Sequence, residues 1–155
     1  MEVKRILVVA PHPDDETLGV GGTIAKYSRM GHEVMVLIVS GHLPPLYNRE
    51  DYDKTVQESL KAFSILGVKS SSFLEIPATM INSISVNELN SKINKVVGEF
   101  HPHIVFCPYP DRHIDHRLVF DSTMVATRPI GVGRKIEIVA AYETLSETHW
   151  NAPHI

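Results

Sequence analysis

Two rhythms of apolar residues alternate along this chain. Short, nearly unbroken runs at residues 3–10, 32–40, 72–76, 103–108 and 136–142 have the length and branched apolar content of buried strands. Between them, apolar positions return every three or four residues. Val56, Leu60, Phe63 and Leu66 make one such stripe, and Val86, Leu89, Ile93 and Val96 make another. The pattern predicts helices over 18–30, 51–66, 85–100 and 115–127. Gly31 and Gly67 stop the first two, and the capping pair Ser85 and Glu88 opens the third. Alternation of this kind predicts an α/β fold: a Rossmann-like, mostly parallel sheet with helices on both faces, because parallel strands need crossovers and crossovers are right-handed. In the common doubly wound order the chain winds outward from its first strand, then returns to that strand's other side. The strand at 103–108 then neighbours the strand at 3–10. No repeat or linker interrupts the 155 residues, which predicts one domain spanning 1–155.

Each of those two neighbouring strands runs into a polar group. The first is followed by Pro11-His12-Pro13-Asp14-Asp15-Glu16, the second by His113-Ile114-Asp115-His116. Ligands of open α/β sheets bind at the switch point where such strands end. A hydrolytic metal site needs about three protein ligands, an open position for water, a base and an oxyanion donor. The two groups supply that set: His12, Asp15 and His116 as ligands, Asp14 as base, His113 as oxyanion partner or acid. Asp115 is expected to hold His113 in one tautomer. Two imidazoles and one carboxylate suit Zn2+, with other divalent ions open. Taken singly, each segment also suits a plain turn, with Asp15 or Thr17 capping the next helix. Their convergence after adjacent strands favours the site.

The remaining chemistry is plainer. The net charge of −3 offers no footprint for nucleic acid. No apolar stretch reaches the roughly 20 residues of a membrane span. The start lacks a signal peptide's layout, and the lone Cys107 fits a reducing compartment, so the expected location is cytoplasmic. Cys107 itself reads as a small buried apolar residue. Gly19-Val20-Gly21-Gly22 lies too far from its strand for a dinucleotide fingerprint and reads as close helix–sheet packing. His32 reads as structural, His101 and His103 as residues at the sheet edge opposite the site, His42 and His149 as solvated loop residues, and Glu16 as a helix-start carboxylate. Trp150, near the chain end, is expected to be covered either by a missing segment or by a second subunit of a homo-oligomer.

The two polar groups, with Thr17-Leu18, Gly21-Gly22, Leu66-Gly67-Val68, Arg128-Pro129 and Tyr142-Glu143-Thr144, resemble the PIG-L/LmbE-like N-deacetylases. The resemblance implies a Rossmann-like fold and zinc-dependent removal of acetyl from an N-acetylated amino sugar. It implies His12, Asp15 and His116 as zinc ligands, Asp14 as general base, and His113, modulated by Asp115, as stabiliser of the tetrahedral intermediate. Two departures stand out. Thr55 occupies a position where the family often carries a substrate-contacting Arg, leaving Arg49 or Lys54 as replacements. The chain also ends inside a segment typical of the family, so part of the substrate wall is expected to be missing. A metal-dependent amidase acting on a non-sugar amide, and a catalytically silent assembly subunit, are the competing expectations.

Overall fold

The computed structural model describes residues 2–145; the readings of His149 and Trp150 lie outside them. Five parallel strands, β1 (Arg5–Ala10), β2 (Glu33–Gly41), β3 (Ser70–Pro77), β4 (Ile104–Pro108) and β5 (Ile138–Tyr142), form one sheet in the order β3-β2-β1-β4-β5. Four helices connect them: α1 (Asp15–Arg29), α2 (Arg49–Leu66), α3 (Val86–Phe100) and α4 (Ile114–Ala126). This is the doubly wound order expected from the alternation of patterns.

Burial explains why β1 reads as an unbroken apolar run. Ile6 and Val8 face one layer, where they meet Val20, Ile24 and Phe63 of α1 and α2. Leu7 and Val9 face the other, against Leu89, Ile93 and Val119 of α3 and α4. A central parallel strand is covered on both sides, so no position along it needs to be polar.

Helix ends follow local chemistry. The Asn48 side chain accepts the Asp51 N–H at 2.8 Å, so α2 opens at Arg49, ahead of the first apolar stripe position. Gly67 closes it in the left-handed region at φ 78°, which a residue without Cβ adopts at no steric cost. Ser85 caps α3 by accepting the Glu88 N–H at 3.1 Å. Helix α1 starts at Asp15 rather than at residue 18. Its first turn takes Asp15 and Glu16, carboxylates favoured at the positive end of a helix but silent in an apolar-periodicity reading. Two short 3-10 turns, Ile81–Ser83 and Gly131–Lys135, are too brief to leave a periodic signal.

Three features at the carboxyl edge matter for the site. The β1–β4 ladder runs from Ile6↔Ile104 to Val8↔Phe106, setting the ends of these two strands side by side. From the far edge strand, the buried Tyr142 hydroxyl donates to Val9 O at 2.9 Å. The Tyr142 ring also fixes how closely α1 approaches: a Cβ built on Gly19 would lie 2.3 Å from Tyr142 Cδ2 and 2.9 Å from the Glu143 carbonyl oxygen. Close packing therefore belongs to Gly19, while Gly22 has nothing within 4 Å. Cys107 is buried and its thiol is pushed up to about 12 by burial. Among the described residues no helix is long and apolar enough to cross a membrane.

The two glycines give a paired prediction. Gly19→Ala is expected to destabilise the fold by about 1–3 kcal/mol through overpacking. Gly22→Ala is expected to be neutral or to stabilise by up to about 1 kcal/mol, because Ala restricts the unfolded chain. Thermal or urea denaturation of the two variants checks this.

Candidate active site

The turn after β1 carries His12, Asp14 and, at the start of α1, Asp15. The turn after β4 carries Asp111, His113 and, in the first turn of α4, Asp115 and His116. Adjacent strands bring the two groups together. The His12, His113 and His116 ring centroids lie 4.7, 4.9 and 5.6 Å apart, and the three imidazoles offer nitrogens within 4.8 Å of one another.

One carboxylate oxygen sits between two of these rings. Asp15 Oδ2 lies 3.3 Å from His12 Nδ1 and 3.4 Å from His116 Nε2, and accepts the His12 backbone N–H at 3.0 Å. His116 Nε2 is buried without a hydrogen-bond partner. Ligands bound at about 2.0–2.1 Å around a tetrahedral ion stand about 3.3–3.4 Å apart. The two nitrogen–oxygen separations match that edge length, and a buried imidazole nitrogen without a hydrogen-bond partner is what a cation ligand presents. The residues fit a divalent ion.

The outer nitrogens strengthen the case. His12 Nε2 lies 2.9 Å from Asp115 Oδ2, and His116 Nδ1 lies 2.8 Å from Asp111 Oδ2. A carboxylate behind a ligating imidazole fixes its tautomer and raises its basicity. Asp115 Oδ2 also accepts the Thr79 backbone N–H at 2.7 Å, tying the loop after β3 to the site. Asp111 is buried, and its Oδ1 accepts the His113 backbone N–H at 2.8 Å.

These contacts revise the expected task of Asp115. Its carboxylate addresses His12 and Thr79, and the group facing His113 Nδ1 is the Asp115 backbone N–H, at 3.2 Å. The reason is local: His113 is the N-cap of α4, so its ring turns back onto its own helix. Asp111 carries no role in the sequence reading although it stands behind His116. The signal lay in Pro110-Asp111-Arg112, next to the second histidine group.

Electrostatics follow the geometry. For His12, burial disfavours the charge but the bonds to Asp115 and Asp15 outweigh it, raising the imidazole to about 9. Burial likewise opposes the charge on Asp15, yet His116 and His12 hold its carboxyl below the usual range. Asp14 moves the other way: burial first and the neighbouring Asp15 second push it upward. Glu16 is pushed up to about 7, chiefly by burial, while its Oε2 accepts the Asp14 N–H at 3.2 Å and its Oε1 accepts the Thr17 hydroxyl at 2.7 Å.

A cavity of about 230 Å³ opens at this cluster, with His12, Asp14, His113 and Thr79 in its walls and His42 and Tyr47 from the loop after β2. The loop at 41–48 thus borders the site, and His42, though exposed, is part of that border. Elsewhere, His32 Nδ1 accepts the Lys4 N–H and His103 Nδ1 accepts the Arg5 N–H, both at the opposite sheet edge.

The family model described as PIG-L, GlcNAc-PI de-N-acetylase, matches residues 7–127, from β1 through α4 and both histidine groups. The chain belongs to the PIG-L family. Among PIG-L relatives, the diacetylchitobiose deacetylase of Thermococcus kodakarensis is 32% identical over 132 residues, covering 75% of this chain and 46% of the relative. A probable N-acetyl-alpha-D-glucosaminyl L-malate deacetylase of Bacillus anthracis is 28% identical over 163 residues, covering 98% and 72%. The chain thus spans about half the length of the first and nearly three quarters of the second. A conserved protein of Thermus thermophilus superposes with a TM-score of 0.79 at 26% identity, over 99% of this chain and 69% of that one.

Replacing Asp111 by Asn removes the charged acceptor behind His116. Divalent-cation affinity, measured by isothermal titration, is expected to fall by about 10- to 100-fold. His42→Ala, on the cavity rim, is expected to leave that affinity within about threefold, since exposed loop residues away from the ion contribute little.

Proposed function

We propose that this chain is a metal-dependent deacetylase that hydrolyses the acetamide of an N-acetylated amino sugar, with Zn2+ as its ion. The observation that carries the reading is the Asp15 oxygen shared by two imidazoles whose outer nitrogens are each backed by a carboxylate. Membership of the PIG-L family and the deacetylase names of its relatives support the reaction class. His12, Asp15 and His116 are the residues that would hold the ion. When bound, it supplies Lewis acidity toward water and toward the amide carbonyl.

The chain's own residues do the rest. Asp14 stands in the cavity wall beside the ligands, and its upward shift suits it to accept the proton of the attacking water. On the other histidine turn, Nδ1 of His113 accepts its helix's N–H, which puts the proton of the neutral ring on Nε2. That N–H is the donor for the oxyanion that forms as water adds to the carbonyl. The proton taken by Asp14 then passes to the nitrogen as the carbon–nitrogen bond breaks, releasing acetate and the free amine. Asp115 and Asp111 hold His12 and His116 in register, and Thr79 closes the cavity from the third strand's loop.

Ion content and acetate release, measured together on four proteins, test the assignment. Asp14→Asn is expected to keep the ion and lose activity by about a hundred- to ten-thousand-fold. His113→Ala is expected to keep the ion and lose about a hundred- to a thousand-fold. Asp15→Ala is expected to lose the ion. Retention of the ion in Asp15→Ala together with its loss in His113→Ala would move it onto the three histidines instead.

A further inference from the structure

Two cavities meet at Asp14. The first, of about 230 Å³, holds the histidine cluster; the second, of about 240 Å³, lies between the start of α1 and the face of α2. Pro13 and Asp14 belong to both walls, so the side chain read as the base stands between the two spaces. The second cavity adds Glu16, Glu58, Thr55 and Ser59 to its lining. Among the described residues, neither lining contains a lysine or an arginine.

The basic residues closest in sequence are engaged elsewhere or lie outside the walls. The Arg49 guanidinium forks onto Glu75 at 3.1 and 3.3 Å, bonds Asp53 at 3.0 Å, and lies over the Tyr52 ring at 4.9 Å. Arg49 is therefore no replacement for a cation at position 55. Lys54 and Arg112 are absent from both walls. Thr55 turns its hydroxyl back to Asp51 O at 2.9 Å. At the rim of the first cavity, His42 and Tyr47 hold their rings 4.4 Å apart.

We propose, resting on the deacetylase reading above, that these adjoining cavities, with carboxylates and neither lysine nor arginine among the described residues of their walls, select N-acetylated amino sugars whose neighbouring group is uncharged or cationic, and reject those carrying a carboxylate or phosphate there. Asp14 and Asp15 line the first cavity beside His12, His42 and His113, and Asp14, Glu16 and Glu58 line the second. Glu58 extends the negative field into the second cavity, where an anion would meet like charge and no compensating guanidinium or ammonium. The ring faces of His42 and Tyr47 suit a sugar without a charged substituent.

Three glycosides of N-acetylglucosamine with short aglycones of different charge test this on the zinc-loaded full chain: methyl, 2-aminoethyl and carboxymethyl. At low salt, kcat/KM for the carboxymethyl glycoside is expected to be at least about tenfold below the methyl one, and the gap is expected to narrow as salt screens it. The 2-aminoethyl glycoside is expected to equal or exceed the methyl one. Glu58→Gln is expected to shrink the difference, and Thr55→Arg to raise turnover of the carboxymethyl glycoside relative to the methyl one. Equal or faster turnover of the carboxymethyl glycoside by the unaltered chain overturns the inference while leaving the deacetylase reading intact. Acetate from none of the three overturns both.

Discussion

The pairing of β1 with β4 is the constraint on which everything else rests. Three register partners, Ile6 with Ile104, Leu7 with Val105 and Val8 with Phe106, align two strands about a hundred residues apart in sequence. Shift that register by one residue and side chains change face, because strand geometry alternates with a period of two. The two histidine turns inherit their separation from this ladder. Asp15 Oδ2 reaches both His12 and His116 only because both turns leave the sheet at the same level.

Around that constraint the fold divides its labour. Two apolar layers, one built with α1 and α2 and the other with α3 and α4, hold the strands without spending any polar group. Among the described residues, the buried acidic side chains and the buried histidine gather at the carboxyl edge, where Asp15, Glu16, Asp111, Asp115 and His116 are held together. Buried charges of this kind persist only when paired. Here the pairs are mutual: His12 and His116 each have a carboxylate on both sides, and each of those carboxylates has a backbone N–H as well.

Much of this was legible in the order of residues. The apolar runs and stripes fixed five strands, four helices and their doubly wound order, since those depend on periodicity and on the handedness of crossovers. The candidate cluster was legible because both polar groups follow apolar runs directly. What escaped is partner choice. Asp115 sits beside His113 in sequence, yet its carboxylate faces His12, a hundred residues away, because α4 begins there and points the side chain across the crevice. Asp111 carried no periodic or spacing signal of its own, and its position behind His116 emerges only once the turn has folded back. The edge strand β3 begins in Ser70-Ser71-Ser72, without apolar residues to announce it, and the cavity walls depend on side-chain directions that no local pattern encodes.

The separation of the bonded residues has a consequence for how the cluster comes into being. His12 to Asp115 closes a loop across 103 positions, and the Tyr142 hydroxyl reaches Val9 across 133. Closing loops of that size is entropically unfavourable until most of the intervening chain has already condensed. A newly made half-chain therefore owns all of the first turn's chemistry and none of its geometry. The imidazole cluster is an assembly signal: its order reports that β1 and β4 have found each other.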